Sequence, residues 1–182
     1  MDTKPDGTAL IVVDVQVGVV ANAVDRERVL GNIASLVERA RAEGTPVIWV
    51  LHDDDELVRD TDDWQLAPEL SMRDGEPVIY KQVRDSFDGT ELDAVLGDLG
   101  IGHLVVTGAQ TDFCVVTTLH GSVARGDGAT LVTDGHTTDD LSRWGGAPPE
   151  SVIAHTNFTW ASYEVPGLRI GTATTAEVSF TG

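Results

Sequence analysis

Three side chains in this sequence could carry out nucleophilic chemistry together: Asp14, Lys81 and Cys114. Each stands at or just past the end of an apolar run: Ile-Val-Val-Asp14, Val-Ile-Tyr-Lys81, and Val-Val-Thr-Gly-Ala-Gln-Thr-Asp-Phe-Cys114. The thiolate is the reactive form of cysteine, and the start of a helix favours it through the dipole and the free N–H groups. A cation such as Lys81 nearby would depress the thiol pKa further. Asp14 could then accept or return a proton as the sulfur attacks a carbonyl. The same residues also have plainer readings. Cys114 can be a small buried hydrophobe, Asp14 a helix cap and Lys81 a solvated charge.

Whether the three meet depends on the elements that carry them. Runs at residues 9–15, 46–51, 78–81, 104–107 and 130–133 are rich in Val and Ile and scarcely alternate, as strands buried on both faces do. Between them, Val29, Leu30, Ile33, Leu36, Val37 and Ala40 follow the helical period and stop at Gly44. Leu92, Val95, Leu96 and Leu99 repeat it, with Thr90 and Asp93 in a capping-box pattern and Gly100 at the end. A third helix is expected from Thr111 or Asp112 to Arg125, closing at Gly126. Alternating strands and helices predict a three-layer α/β/α sandwich with a mostly parallel, doubly wound sheet. Ligands bind such sheets at the carboxyl ends of the strands, where Asp14, Lys81 and Cys114 fall. The acidic stretch 52–56 and the loop through Pro77 form the longest irregular segment, of the kind that covers a site. Residues 145–149 read as a turn before a last short helix, and 176–180 as a short strand-like piece.

The 182 residues hold 12 Lys plus Arg against 30 Asp plus Glu, a formal charge of −18. A chain of this length buries about 70% of its unfolded surface, enough for one core without staples. With no repeat and no linker, residues 1–182 are expected to form one domain. The acidic balance excludes a basic nucleic-acid or anionic-lipid surface and modestly favours a cationic substrate. No apolar run approaches the roughly 18 residues that span a bilayer, and the N-terminus lacks the layout of a signal peptide. The single Cys114 cannot form an internal disulfide. The expectation is a cytoplasmic protein that binds neither membrane nor nucleic acid.

Four pieces in order carry a family resemblance. They are Ile-Val-Val-Asp14-Val-Gln16; Tyr80-Lys81 followed by Ser86-Phe87-Asp88-Gly89-Thr90-Glu91-Leu92; Gly108-Ala109-Gln110-Thr111-Asp112-Phe113-Cys114-Val115 with Thr118; and Gly126 with Leu-Val-Thr-Asp134. From about residue 9 to the last helix, the sequence resembles the isochorismatase-like cysteine hydrolases. That superfamily includes nicotinamidases, N-carbamoylsarcosine amidase and streptothricin hydrolases. The resemblance implies Cys114 as nucleophile, Asp14 as general base and then acid, and Lys81 as the orienting charge. It also implies a cis peptide between Ala109 and Gln110, with the N–H groups of Gln110 and Cys114 as the oxyanion hole.

The sequence departs from the family in two places. Many members carry an aromatic residue just after the first-strand Asp-x-Gln, whereas Val17-Gly18-Val19-Val20 stands here. Nicotinamidases place an Asp and several His around a metal from the end of the second strand. Here that region has only His52 before His103, so a solvated acidic loop without metal is expected. Gln16, His52, Trp64 and Phe87 are the candidates for the substrate pocket. His136 is read as a rim or turn residue, His103 and His155 as structural, and His120 as facing away from Cys114.

The expectation is a cofactor-independent cysteine hydrolase that cleaves a C–N bond of a small amide or cyclic amide through a thioester. The alternatives are an isochorismatase-type ether hydrolase, which has no need of Cys114, and a non-catalytic scaffold keeping the fold alone. A homo-oligomer, dimer or tetramer, is also expected. Gly121, Ser122 and Ala124 in the 115–125 helix would permit close approach there.

Overall fold

The structure, a computed structural model, describes residues 5–181. Its strands are β1 (Gly7–Val13), β2 (Val47–His52), β3 (Val78–Lys81), β4 (Ile101–Ala109), β5 (Gly128–Thr137) and β6 (Ile170–Ala173). They form one sheet in the order β3-β2-β1-β4-β5-β6, and every adjacent pair is parallel. The helices are α1 (Val17–Val20), α2 (Arg26–Ala42), α3 (Leu92–Leu99), α4 (Val116–Ala124) and α5 (Pro149–Ala161).

Strand alternation divides the core. Leu10 and Val12 of β1 point to the layer built by Val29, Leu30, Ile33, Leu36 and Val37 of α2. Ile11 and Val13 point to the opposite layer, with Leu92 and Leu96 of α3, Leu119 of α4 and Trp160 of α5. Both faces of the sheet are therefore covered, as a parallel sheet requires. Since successive strand side chains alternate faces, the central strands must be apolar throughout, which explains their unbroken Val and Ile runs.

Several local expectations change. The sixth strand is Ile170–Ala173, not 176–180; Val178 and Phe180 are buried, but they pack on the α2 layer without joining the sheet. Apolar alternation there marks burial rather than a ladder. Thr90 does not cap α3 through Asp93; its hydroxyl accepts the Leu92 N–H and donates to the Ser86 carbonyl. The helix expected from Thr111 begins instead as a π-helical turn over Thr111–Val115, which α4 continues.

Two of the small residues of α4 face inward, while Ala124 is exposed. Gly121 and Ser122 are buried, and a Cβ at Gly121 would come within 2.5 Å of Asp85 Oδ1. At Gly121 the small size serves the contact between α4 and the segment after β3. Among the described residues, no helix is long and apolar enough to cross a membrane.

Candidate active site

The carboxyl ends of β1, β2 and β3 and the turn after β4 meet on one edge of the sheet. Asp14 follows β1 with φ 49°, in the left-handed region that Asp tolerates better than most residues. Gly108, two residues before the next turn, has φ 124°, and a Cβ there would meet Val13 O at 2.0 Å. Only glycine lets β4 approach β1 so closely beside Asp14. The Ala109–Gln110 peptide that follows is cis, and the Gln110 carbonyl accepts the N–H groups of Phe113 and Val115 in the π-helical turn. That turn carries Cys114 across the end of β1.

Ser86 and Thr118, both in the quoted motifs, link the segment after β3 to the same helix. Their hydroxyls lie 2.6 Å apart in the buried layer. Lys81 on β3, Asp14 after β1 and Cys114 before α4 are thus each fixed by a different element.

The three side chains converge. Lys81 Nζ lies 2.6 Å from Asp14 Oδ2 and 3.2 Å from Cys114 Sγ, and it donates to the Val83 carbonyl at 3.1 Å. Both members of the ion pair are fully buried. Taking two charges out of water costs several kcal/mol per ion, so such a pair is weak evidence of stabilisation and better evidence of use.

The protonation of the sulfur reverses the expectation from helix position. Burial, then the adjacent Asp14 carboxylate, pushes the Cys114 thiol up to about 12, outweighing the opposing pull of Lys81. A π-helical turn leading into a short helix does not offset desolvation of a buried thiolate. Asp14 is likewise raised above the ordinary carboxylate value, mainly by burial, with Lys81 pulling the other way. The resting site therefore holds a thiol beside a carboxylate made more basic than usual.

The site opens into a cleft of about 540 Å³ whose lining includes Gly18, Val19, His52, Asp63, Arg84 and Phe113. Of the four pocket candidates, only His52 lines it. Gln16 is wholly buried and acts as a staple. Its amide donates to the carbonyls of His52 and Trp64, and its oxygen accepts the His52 N–H at 2.8 Å. Trp64 is buried and stacked on Tyr80, with ring centroids 6.1 Å apart. Phe87 lies in the core under α4, near Gly121 and beneath the Arg125 guanidinium. The pocket ring is instead Phe113, just before Cys114, with Arg84 stacked on it at 4.0 Å. Its position beside Cys114 was the available signal.

The segment between β2 and β3 closes one side of the cleft with Asp54, Glu56, Leu57 and Asp63. It is fastened at several points. Arg59 pairs with the buried Asp53 and lies 4.0 Å over the Tyr80 ring, while Glu76 accepts from Arg41 and the Trp49 indole. The backbone N–H of Gly18 donates to Asp63 and that of Val17 to Gln65. The acidic loop is thus a fastened wall of the site whose Asp54, Asp55 and Glu56 remain exposed to solvent. Among the described residues no three His, Cys, Asp or Glu side chains converge as a metal shell.

His136, also at the carboxyl edge, is buried and away from the cleft lining. It bridges Thr111 at 2.8 Å and Asn157 at 2.9 Å. His103 is buried between Thr130 and Arg169, and His120 packs on Trp160 and Tyr163.

Comparison with known proteins places this geometry. Residues 8–144 match the sequence profile of the Isochorismatase domain. A protein named streptothricin hydrolase from Streptomyces noursei is 34% identical over 139 residues, 73% of this chain and 55% of its own. The chain thus matches only about half of that relative's length. The isochorismatase family protein YddQ of Bacillus subtilis (strain 168), described as uncharacterized, is 28% identical over 143 residues, 74% of this chain and 79% of its own. An isochorismatase structure from Pseudomonas putida KT2440 superposes with a TM-score of 0.84 at 28% identity, covering 96% of this chain and 93% of that one.

Proposed function

Since the chain belongs to the isochorismatase family, a family of hydrolases, we propose that it is a cysteine amidohydrolase acting on a C–N bond of a small amide or cyclic amide. One observation carries this reading: a thiol, an unusually basic carboxylate and an ammonium meet at 2.6 and 3.2 Å at the base of a cleft. Ether hydrolysis gives the thiol no task, and a scaffold has no use for a buried ion pair that is costly to maintain.

In the proposed reaction Asp14 takes the thiol proton as the sulfur bonds to the carbonyl carbon. Asp14, made more basic by burial, suits that transfer, because a base works best when its pKa approaches the working pH. The oxyanion is assigned to the backbone N–H groups of Gln110 and Cys114. Collapse breaks the C–N bond, and Asp14 returns the proton to the departing amine, leaving a thioester. Asp14 then deprotonates water as it attacks. The C–S bond breaks, the sulfur is reprotonated and the acid leaves. Lys81 balances Asp14 whenever that residue is ionised.

The cleft also bears on substrate charge. Glu56 and Asp63 face it, and Arg84, the lining cation, is occupied by Phe113. A cationic or neutral amide fits that lining better than an anionic one. The test is a panel of amides, lactams and ureides of each charge, with streptothricin among them, assayed on the protein and on Cys114→Ala. Turnover abolished in the variant supports the reading. Turnover that survives it, or a panel left wholly uncleaved, overturns it.

A further inference from the structure

The ring hydrogen of His52 can be placed by counting donors and acceptors around it. Asp54 Oδ1 accepts the N–H groups of Glu56 and Leu57 at 2.8 and 2.7 Å, and its Oδ2 faces His52 Nε2 at 3.0 Å. The Leu57 N–H first, then His52, hold the Asp54 carboxyl below its ordinary range, so it is ionised and can only accept. A ring hydrogen therefore sits on Nε2, and Nδ1, which faces the Lys81 Nζ donor, presents a lone pair. That lone pair lies 3.3 Å from Lys81 Nζ. Backbone contacts fix the ring's origin as well, because Gln16 grips both the N–H and the carbonyl of His52.

Lys81 thus has more acceptors than hydrogens. Its three N–H bonds face Asp14 Oδ2, the Val83 carbonyl, Cys114 Sγ and His52 Nδ1. In the acyl-enzyme Asp14 is ionised again and the Val83 carbonyl and His52 are unchanged, while the sulfur is not. As a thiol or thiolate it accepts a hydrogen, but as a thioester its lone pairs are delocalised toward the acyl carbonyl and it accepts poorly. Without a fourth acceptor, a buried ammonium hydrogen would be left unsatisfied in the acyl-enzyme, at a cost of about 1–3 kcal/mol or more.

We propose that His52, locked in its Nε2–H form by Asp54, is a positioning residue for Lys81. Its Nδ1 takes the ammonium hydrogen that the sulfur releases on acylation, so Lys81 stays aimed at Asp14 while water attacks the thioester. The assignment rests on the amidohydrolase reading for its chemistry, but the tautomer does not.

Two measurements test it. The first is ¹⁵N NMR of the full chain labelled at histidine. The His52 signals should show a bare Nδ1 and a protonated Nε2, and Asp54→Ala should release that preference. A protonated Nδ1 in the unaltered protein would overturn the proposal whether or not any amide is cleaved. The second uses any amide that the protein turns over. His52→Ala should slow deacylation by about 10-fold to 100-fold, a loss typical of a misplaced catalytic group. It should also produce a burst, with an acyl adduct on Cys114 visible by mass spectrometry, while KM does not rise. His52→Asn keeps an amide oxygen near the Nδ1 position and should restore kcat to within about tenfold of the unaltered protein. A rise in KM with unchanged kcat, no adduct, or no recovery in His52→Asn would make His52 only a substrate contact and overturn the assignment. If the unaltered protein cleaves no amide, the amidohydrolase reading fails, and the NMR result alone decides the tautomer.

Discussion

The chemistry at Cys114 depends on which neighbour dominates its field. Helix position and Lys81 favour the thiolate, yet burial and the Asp14 carboxylate prevail, and the thiol is pushed up to about 12. Both prevailing effects are tertiary, which is why the spacing of residues in the chain pointed the other way. Asp14 thereby acts in two opposed ways. It keeps the sulfur protonated at rest, and in the proposed reaction it is the base that removes the proton when a carbonyl arrives. Asp14→Asn should separate these effects. Losing the negative charge must lower the thiol pKa, since that charge raises it in the intact site. Thiolate absorbance near 240 nm should therefore appear at lower pH in the variant, and iodoacetamide should alkylate it faster at neutral pH. Amide turnover should nevertheless fall by about 10²–10⁴-fold, the usual share of a general base. A thiol pKa that stays or rises in Asp14→Asn would refute this account of the site.

At the scale of elements, strand ends carry the proposed catalytic groups and loops carry the walls, and the two were unequally legible in the sequence. Asp14, Lys81 and Cys114 could be placed because apolar runs locate strand ends, and a parallel sheet gathers those ends on one edge. The wall from Asp54 to Asp63 could not, since its charges match those of a solvated loop. Its order comes from distant partners such as the Gly18 N–H on Asp63 and the Tyr80 ring under Arg59. Strand β6 was missed for a related reason. Ile170–Ala173 is short and only half-buried, whereas Val178 and Phe180 have the stronger apolar pattern without a ladder.

The opposite edge of the sheet carries a polar joint that can be tested through its pH dependence. His103 near the start of β4 donates to or accepts from Thr130 on β5, and its Nδ1 accepts from Arg169, which also donates to Thr8 on β1. Burial, reinforced by Arg169, lowers the His103 pKa from 6.5 to about 4. The folded state thus resists protonation more than the unfolded chain does. The stabilisation is complete above pH 6.5 and is lost as pH falls toward 4; by linkage it amounts to about 3 kcal/mol at most. Urea unfolding of the protein and of His103→Gln at several pH values should show the variant losing less stability across this window. Equal slopes for the two proteins would count against a buried neutral His103.

For the whole molecule, the −18 charge and the acidic wall act on the same approaching ligand. Asp54, Glu56 and Asp63 line the cleft and supply the local attraction, although His52 and two backbone N–H groups already engage Asp54. The remaining net charge supplies the long-range field. The two ranges differ in their response to salt. Fields acting beyond a Debye length of about 10 Å at 0.1 M are screened, while contacts inside the cleft are screened far less. Steering of an oppositely charged ligand raises encounter rates by about 10–10³-fold and declines steeply with ionic strength. For a cationic amide, kcat/KM should accordingly fall several-fold between about 20 and 200 mM salt. A neutral isostere should change little, and an anionic one should gain. Glu56→Gln with Asp63→Asn should weaken the cationic preference at every salt concentration, because it removes much of the local part while leaving most of the net charge. A flat salt response for all three substrates would show that the acidic surface maintains solubility alone and takes no part in choosing the substrate.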